Sequence, residues 1–549
     1  MNIDKLKSIS FRLCIHGLLA LAIALCLMLP ALIFNSFSPS NVIWFSEKYY
    51  WIFFGFALLL AACRSHTFIA VVLGLLCLLE ITQFASLAYF GDYINPFWIH
   101  QMFIEAADVS QEALASTKNL YFVPLSALLP YASAFLLIYA TKKARFKLPF
   151  MTILVALILI FPGIRMKVHS DSDDIFSFFP VISDPSLANS LQSYYAWLNF
   201  ILIPGQDTEN LPEFPPYQTE NIPLLHEKMN VVVVMGESAT PNHMSLYGYP
   251  RKTTPNLDAL AAETDQLITK LGISAANATR SALPAFYTAQ YHPLDTKPVQ
   301  NQNTNLFTLA KKQGFKTFYI SAQNINCLNG VNTKDIDFIA AFDHHRSLFS
   351  RKKDDGIIEL LHQLELSDKN FIILHQRNSH SPYAVNYSHR PEFDVFSSEN
   401  PTREQNHIDT YDNSILYSDW LYDEVIKYFK TMPESPPSYI FITSDHGEMF
   451  GENGLWGHNH MDMENFKVPL IYYGIHADPG FTGKIREEKV ITHYQLSLYT
   501  AELLGTRIIN PGEEEGIFYV NGVAAFGRSG YLRFRITEEG SIEEIELMR

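Results

Sequence analysis

The sequence predicts two unlike parts in one chain: an α-helical membrane domain of five spans, then an α/β domain with a mostly parallel central sheet. Three observations predict this. Five apolar stretches crowd the first 165 residues. The composition turns mixed and acidic beyond that point. The second part then alternates short β-rich runs with helix-like stretches, and four of the runs end in a polar cluster. That alternation is the pattern of a parallel sheet covered by helices.

The apolar stretches cover 11–34, 49–63, 67–90, 120–140 and 148–164. A bilayer core is crossed by about 20 apolar helical residues. The first, third and fourth stretches reach that length. The second and fifth are shorter and lean on flanking aromatics. Lys5, Lys7, Arg12, Arg64, Lys142, Lys143, Arg145 and Lys147 all fall on one side of a five-span arrangement. Lys48 and Lys118 fall on the other, diluted by Asp92, Glu105, Asp108 and Glu112. Basic loops stay cytoplasmic, so the N-terminus is expected inside and everything after 164 outside. The first stretch reads as an anchor rather than a cleaved signal, because further spans follow it.

The stretch 187–204 is apolar enough to be a sixth span, which would put the large domain in the cytoplasm. Its Asn189, Ser190, Gln192 and Ser193 point instead to an interfacial amphipathic helix, with Tyr194, Tyr195 and Trp197 at headgroup level. A Pro-rich linker is expected over 207–225. The expected domains are therefore 1–165 (membrane), 166–228 (bridging helices and linker) and 229–549 (the α/β domain).

Of 549 residues 48% are apolar and 18% charged, against about a quarter charged in ordinary globular chains. A net charge of −15 argues against a nucleic-acid partner. Cys14, Cys26, Cys63 and Cys77 lie in the apolar part, and Cys327 stands alone beyond it. One Cys makes neither a disulfide framework nor a Cys-rich zinc site.

The four strand-like runs are 230–235, 316–320, 371–375 and 439–443. They are followed, respectively, by Gly236-Glu237-Ser238, by Ser321-Ala322-Gln323-Asn324, by Asn378-Ser379-His380-Ser381-Pro382, and by Ser444-Asp445-His446-Gly447-Glu448. Ligands of open α/β sheets bind beyond the carboxyl ends of the strands. Glu237, Asp445 and His446 at that edge are the ligand types of an N/O metal site without thiolate. A lone Glu at a strand end is more often structural; the adjacent Asp445-His446 pair shifts the balance toward a metal. Thr279, in Asn277-Ala278-Thr279-Arg280, opens a helix-like stretch. It is either a helix cap or a hydroxyl nucleophile activated by a divalent metal, with phosphate at the helix N-terminus. His380 and His458 are further candidates against the background that most lone His are surface or core residues.

Taken together these residues resemble the membrane phosphoethanolamine transferases of Gram-negative bacteria, within the alkaline phosphatase/sulfatase superfamily. The resemblance rests on Gly236-Glu237-Ser238, on Ser245-Leu246-Tyr247-Gly248-Tyr249-Pro250-Arg251 with Thr253-Thr254-Pro255, and on the Thr279 loop. It rests equally on Asn378-Ser379-His380-Ser381-Pro382-Tyr383, on Tyr411-Asp412-Asn413-Ser414-Ile415 with Tyr417 and Asp419, and on Asp445-His446-Gly447-Glu448 with Gly451-Glu452-Asn453-Gly454. It implies a bacterial inner-membrane protein with a sulfatase-like catalytic domain in the periplasm. It implies Zn2+, one ion or two, held by Glu237, Thr279, Asp445 and His446. Thr279 would take phosphoethanolamine from the donor lipid phosphatidylethanolamine and pass it to an envelope acceptor: lipopolysaccharide core or lipid A, or a periplasmic glucan. His380 and His458 match positions that contact the phosphate or a second zinc. Glu448 matches a neighbour of the metal. The family's donor-contacting Lys is unmatched: Lys334 is nearby, and Gln323 and Asn324 are the candidates for its work.

The sequence departs from the lipid A branch in lacking the disulfide that flanks the nucleophile loop, with Ala275 and Ala285 at those positions. The Cys/Ser-x-Pro-x-Arg motif of true sulfatases is absent. The alternatives carried forward are a phosphoglycerol transferase of the lipoteichoic-acid-synthase type, a membrane-anchored phosphatase or sulfatase, and a non-catalytic membrane protein with a dead sulfatase-like domain.

Overall fold

The computed structural model describes residues 3–37, 47–89, 93–96, 99, 102–103, 122–169, 178, 184–202, 213–328, 331, 333–523 and 530–548. The chain forms two compact units, Met1–Asn210 and Leu211–Arg549.

Among the described residues the first unit holds five apolar helices: α1 (Ile3–Phe37), α2 (Glu47–Ala62), α3 (His66–Tyr89), α4 (Phe122–Ala140) and α5 (Met151–His169). They coincide with the five apolar stretches. Four of them are long and apolar enough to cross a membrane. α2, with 16 residues, rises only about 24 Å. The fifth stretch gains spanning length because the helix runs on through Arg165–His169, which hydropathy alone had trimmed. Arg145, counted above as a loop charge, is buried. It donates to the carbonyls of Ala61 and Cys63, which helix geometry leaves without partners at the end of α2. Lys118, Asp92, Glu105, Asp108 and Glu112 lie outside the described residues, as do residues 203–212.

The stretch expected to be interfacial forms α6 (Ser186–Ala196), continued by a π-helical turn over Trp197–Leu202. Its polar stripe is not turned to water. Ser186, Asn189, Ser190 and Ser193 are buried. Ser186 donates to Glu80 Oε1 at 2.9 Å and Ser190 to Gln83 Oε1 at 3.1 Å. The reason is a matching stripe on α3: Glu80 and Gln83 lie one turn apart, as do Ser186 and Ser190. Local polarity in the sequence cannot reveal such a partner.

The second unit is built on an eight-stranded sheet. Its strands are β1 (Met229–Gly236), β2 (Leu267–Ile273), β3 (Lys316–Ser321), β4 (Phe338–Ala340), β5 (Lys369–His375), β6 (Ser438–Ser444), β7 (Lys467–Ile475) and β8 (Val490–Thr492). The spatial order is β8-β2-β7-β6-β1-β5-β3-β4. Only β7 runs antiparallel to its neighbours β2 and β6; the other pairs are parallel. The four strands foreseen from the sequence lie side by side as β6-β1-β5-β3, their carboxyl ends at one edge.

β1 is buried along its whole length, as a central parallel strand covered on both faces must be. On one face Val232 and Val234 pack with Ile440 and Ile442 against Leu421, Tyr422, Val425, Ile426 and Phe429 of the long helix Arg403–Lys430. Part of the segment expected as linker is a strand: Gln218–Asn221 pairs antiparallel with Thr506–Ile509. A three-stranded antiparallel sheet, Ile517–Asn521, Tyr531–Ile536 and Ile542–Met548, closes the chain.

Candidate metal centre and nucleophile

Five strand ends build the site. β1 delivers Glu237, β6 delivers Asp445 and His446, and β5 ends in His375 and leads to His380. β3 leads to Gln323. β2, a strand the sequence reading had not singled out, leads through Ser274 to the Thr279 loop. The Asn521 backbone steadies that loop, its N–H donating to Ala275 O at 2.8 Å and its carbonyl accepting from Asn277 N at 3.2 Å.

Thr279 is the first residue of the helix Thr279–Tyr287, whose N-cap is Ala278 and has no side-chain cap bond. The capping role is thus not what occupies the Thr279 hydroxyl. It lies 3.4 Å from Glu237 Oε2 and 3.5 Å from His446 Nε2. His446 Nε2 is also 3.5 Å from Glu237 Oε1 and 3.6 Å from Asp445 Oδ2. Glu237, Asp445 and His446 are essentially inaccessible to solvent.

The atoms at this convergence are those a cation needs. Asp445 Oδ1 is committed, accepting from the backbone N–H groups of Ser238 (3.0 Å) and His446 (2.8 Å). Among the described residues its Oδ2 is buried with no hydrogen-bond partner, a costly state unless something positive binds there. His446 Nδ1 donates to Gly447 O at 3.0 Å, so the lone pair sits on Nε2 and faces the centre. Two carboxylates, an imidazole nitrogen and a hydroxyl therefore fit a four-coordinate zinc with its N/O preferences.

The electrostatics of the metal-free site agree. Burial raises both carboxyl groups. For Asp445 the neighbouring Glu237 adds to this, pushing it up to about 6. For Glu237 the nearby imidazoles and the Ser238 hydroxyl work against burial and hold it below the usual carboxylate range. Two buried carboxylates this close share their protons unequally until a cation relieves them.

Tight backbone packing sets these positions. Ser238 adopts a left-handed conformation, φ +53°, which turns its N–H toward Asp445 and its carbonyl toward the Tyr411 hydroxyl at 2.7 Å. A Cβ on Gly447 would lie 2.5 Å from the Lys467 carbonyl, so the turn between His446 and Glu448 admits only glycine.

Beside the centre, His458 Nδ1 donates to Glu448 Oε2 at 2.8 Å, and the Tyr383 hydroxyl donates to Glu448 Oε1 at 2.7 Å. The His458 and His446 rings are 4.6 Å apart. Burial alone would lower the pKa of His458, but Glu448 raises it above its ordinary value. His380 donates from Nδ1 to Ser381 O at 2.6 Å, leaving Nε2 free of that bond. Gln323 is buried behind Glu237, whereas Asn324 is exposed. His446, Glu448 and His458 form one group able to hold an ion, and Glu237, His375 and Asp445 another.

Two features escaped the sequence reading. His375 ends a strand foreseen as buried, and its register opposite Met235 puts it next to Glu237. His243 was not singled out, and the motif residues Tyr249 and Arg251 received no role. All three converge on the buried Asp412, at 2.6, 2.9 and 2.7 Å, tying the loop after β1 to the long helix.

Fold and site together define a class: an α/β domain with candidate N/O metal ligands and a hydroxyl at the carboxyl edge of its sheet. The family model described as Sulfatase matches residues 229–504, half of the chain, and the chain belongs to that family. Among curated relatives, it is 28% identical over 267 residues to "Phosphoethanolamine transferase EptA" of Helicobacter pylori, covering 45% of this chain and 48% of that one. It is 28% identical over 279 residues to "Phosphoethanolamine transferase EptC" of Escherichia coli K12, covering 47% and 46%. The chain thus spans about half the length of the curated relatives it matches. Among solved structures, EptA of Neisseria meningitidis, an integral membrane protein, aligns over 90% of this chain and 95% of its own at 18% identity, TM-score 0.45. The periplasmic domain of E. coli EptC in complex with Zn aligns over 58% and 97% at 23% identity, TM-score 0.45.

Proposed function

We propose that this protein is a bacterial inner-membrane phosphoethanolamine transferase whose catalytic domain faces the periplasm. The reading rests on one observation: the Thr279 hydroxyl stands within 3.5 Å of Glu237 and His446, beside a buried Asp445 oxygen that lacks a partner. The donor is phosphatidylethanolamine, and the acceptor is a hydroxyl or phosphate of lipopolysaccharide core, lipid A or a periplasmic glucan. A zinc ion held by Glu237, Thr279, Asp445 and His446 would acidify the Thr279 hydroxyl and neutralise charge on the phosphoryl oxygens.

The chain's own groups do the rest. Thr279 Oγ, its proton already released to solvent, attacks the donor phosphorus, giving phosphoethanolamine-Thr279 as the bond to the diacylglycerol oxygen breaks. That oxygen takes a proton from an imidazole. His458, whose pKa Glu448 raises, is poised as the acid. In the second half an acceptor oxygen attacks the same phosphorus, loses its proton to the imidazole, and frees Thr279. His380 Nε2 and the N–H groups opening the Thr279 helix face phosphoryl oxygens. The spanning helices support the lipid-donor reading, because they keep the chain in the plane where the donor lies.

The test is the intact mass of the purified full chain after incubation with phosphatidylethanolamine, with zinc content read on the same sample and Thr279→Ala as control. A phosphoethanolamine-sized adduct on the wild type, absent from the variant, is the expected result. A glycerophosphate-sized adduct from phosphatidylglycerol would favour the phosphoglycerol transferase. Free phosphoethanolamine without acceptor would favour a hydrolase. A protein with no adduct and no bound zinc would sink the metal-site reading.

A further inference from the structure

The amide nitrogen of Gln323 has two hydrogens to donate, yet three acceptors surround it. Glu237 Oε2 lies at 2.6 Å, Gln376 O at 2.9 Å and His375 Nε2 at 3.0 Å. The other His375 nitrogen faces the hydroxyls of Tyr319 and Ser321 at 3.1 and 3.2 Å. Those hydroxyls can accept the Nδ1 proton, which leaves the lone pair of Nε2 toward Gln323. At the opposite end of the amide, Oε1 faces the Cys327 thiol at 3.9 Å. The amide is thus oriented from both sides: acceptors crowd its nitrogen, and a donor meets its oxygen. All members of this cluster except Cys327, which is partly buried, are less than a tenth exposed.

We propose that Gln323 is a positioning residue for the metal ligand Glu237 and not a donor-lipid contact. The proposal rests on the metal reading of the Glu237–Asp445–His446 site. Glu237 has two carboxylate oxygens, and each has a dedicated donor. Ser238 Oγ holds Oε1 at 2.8 Å and Gln323 holds Oε2. Oε2 is also the oxygen next to the Thr279 hydroxyl. With both oxygens held, the carboxylate cannot turn away from the centre. Remove the amide N–H groups and Oε2 faces a carbonyl oxygen and an imidazole lone pair with no hydrogen between them. Three acceptors then repel, and the carboxylate rotates or takes up a proton. Groups of this kind behind a ligand typically alter metal affinity about 10- to 100-fold. Asn324, the exposed neighbour, has no place in this cluster.

The test uses the full chain and compares wild type with Gln323→Met, which keeps the length of the side chain but has no N–H, and with Gln323→Asn, which withdraws the amide by one methylene. Zinc affinity is measured by chelator competition, and the melting temperature of each metal-free protein is recorded beside it. The expected result is a zinc affinity at least about tenfold weaker in both variants, metal-free proteins that still unfold cooperatively though at a lower temperature than wild type, and recovery of activity at excess zinc with the donor KM unchanged. Wild-type zinc affinity in either folded variant overturns the proposal. So does a raised donor KM at saturating zinc, which would make Gln323 a substrate contact. If the wild type itself binds no zinc, it is the metal reading that fails, and the two failures are told apart on the wild type alone.

Discussion

At the scale of single residues, the site is a set of groups each left with one function by its neighbours. Asp445 shows this most clearly. Backbone N–H groups hold one of its oxygens, and the other has nothing to bind. Asp445→Asn would replace the unpartnered charge by a neutral group. Zinc retained after dialysis should then fall by two orders of magnitude or more, while far-ultraviolet circular dichroism stays unchanged; an Asn variant that keeps its zinc would contradict the ligand assignment. Glu448 acts through His458. Glu448→Gln keeps the shape and removes the charge, so the imidazole pKa of His458 should drop from its raised value toward or below the ordinary 6.5, read by NMR titration of metal-free protein. Because the folded pKa of His458 is raised, its contribution to stability is complete below the unfolded pKa and fades as pH rises through the folded one. The variant should lose that dependence.

At the scale of elements, one long helix organises the domain. The helix Arg403–Lys430 carries Asp412, which gathers His243, Tyr249 and Arg251, and Asp419, which accepts the N–H groups of Asn256 and Leu257 at 2.8 and 3.0 Å. Those N–H groups open the helix Pro255–Glu263, where orphan donors need an acceptor. Burial pushes the Asp419 carboxyl up to about 7, against the pull of these N–H groups. The sign follows from linkage: the folded state binds a proton that the unfolded state has already lost, so stability declines as pH rises from about 4 to 7. Asp419→Asn removes the titrating group and keeps an acceptor oxygen. Its melting temperature should be flatter across pH 5–8 and should exceed that of the wild type at pH 8, by roughly 1–3 kcal/mol in stability. A variant that tracks the wild type at every pH would refute this role for burial.

At the scale of the whole molecule, the chain is two compact units, and a single unfolding free energy does not describe it. The proposed metal ligands Glu237, Thr279, Asp445 and His446 all belong to the second. A ligand that binds only the folded form stabilises by about 4 kcal/mol at a thousandfold excess over its Kd. In a calorimetric scan in detergent, chelation of zinc should therefore lower the transition of the α/β unit by several degrees and leave that of the helical unit in place. Equal transitions with and without chelator would argue against a structural stake of the metal.

Much of this was legible in the sequence, for definite reasons. Hydropathy locates the apolar middle of each apolar helix but not its ends, since α1 and α5 run on into charged residues. A run such as Val231–Val234 can only be a strand buried on both faces. A parallel sheet also forces the ends of such strands to one edge, which is why Glu237, Asp445 and His446 could be grouped before any coordinates. Tertiary structure alone decided the rest. It turned the serines of α6 onto Glu80 and Gln83, made a strand of Gln218–Asn221, and brought β2 in to aim Thr279. It also set His375 beside Glu237 and turned Gln323 inward. These are pairings between residues 40 to 300 positions apart. Hydrogen-bond capacity is written in each residue, but which partner fills it depends on what the fold brings within 3 Å.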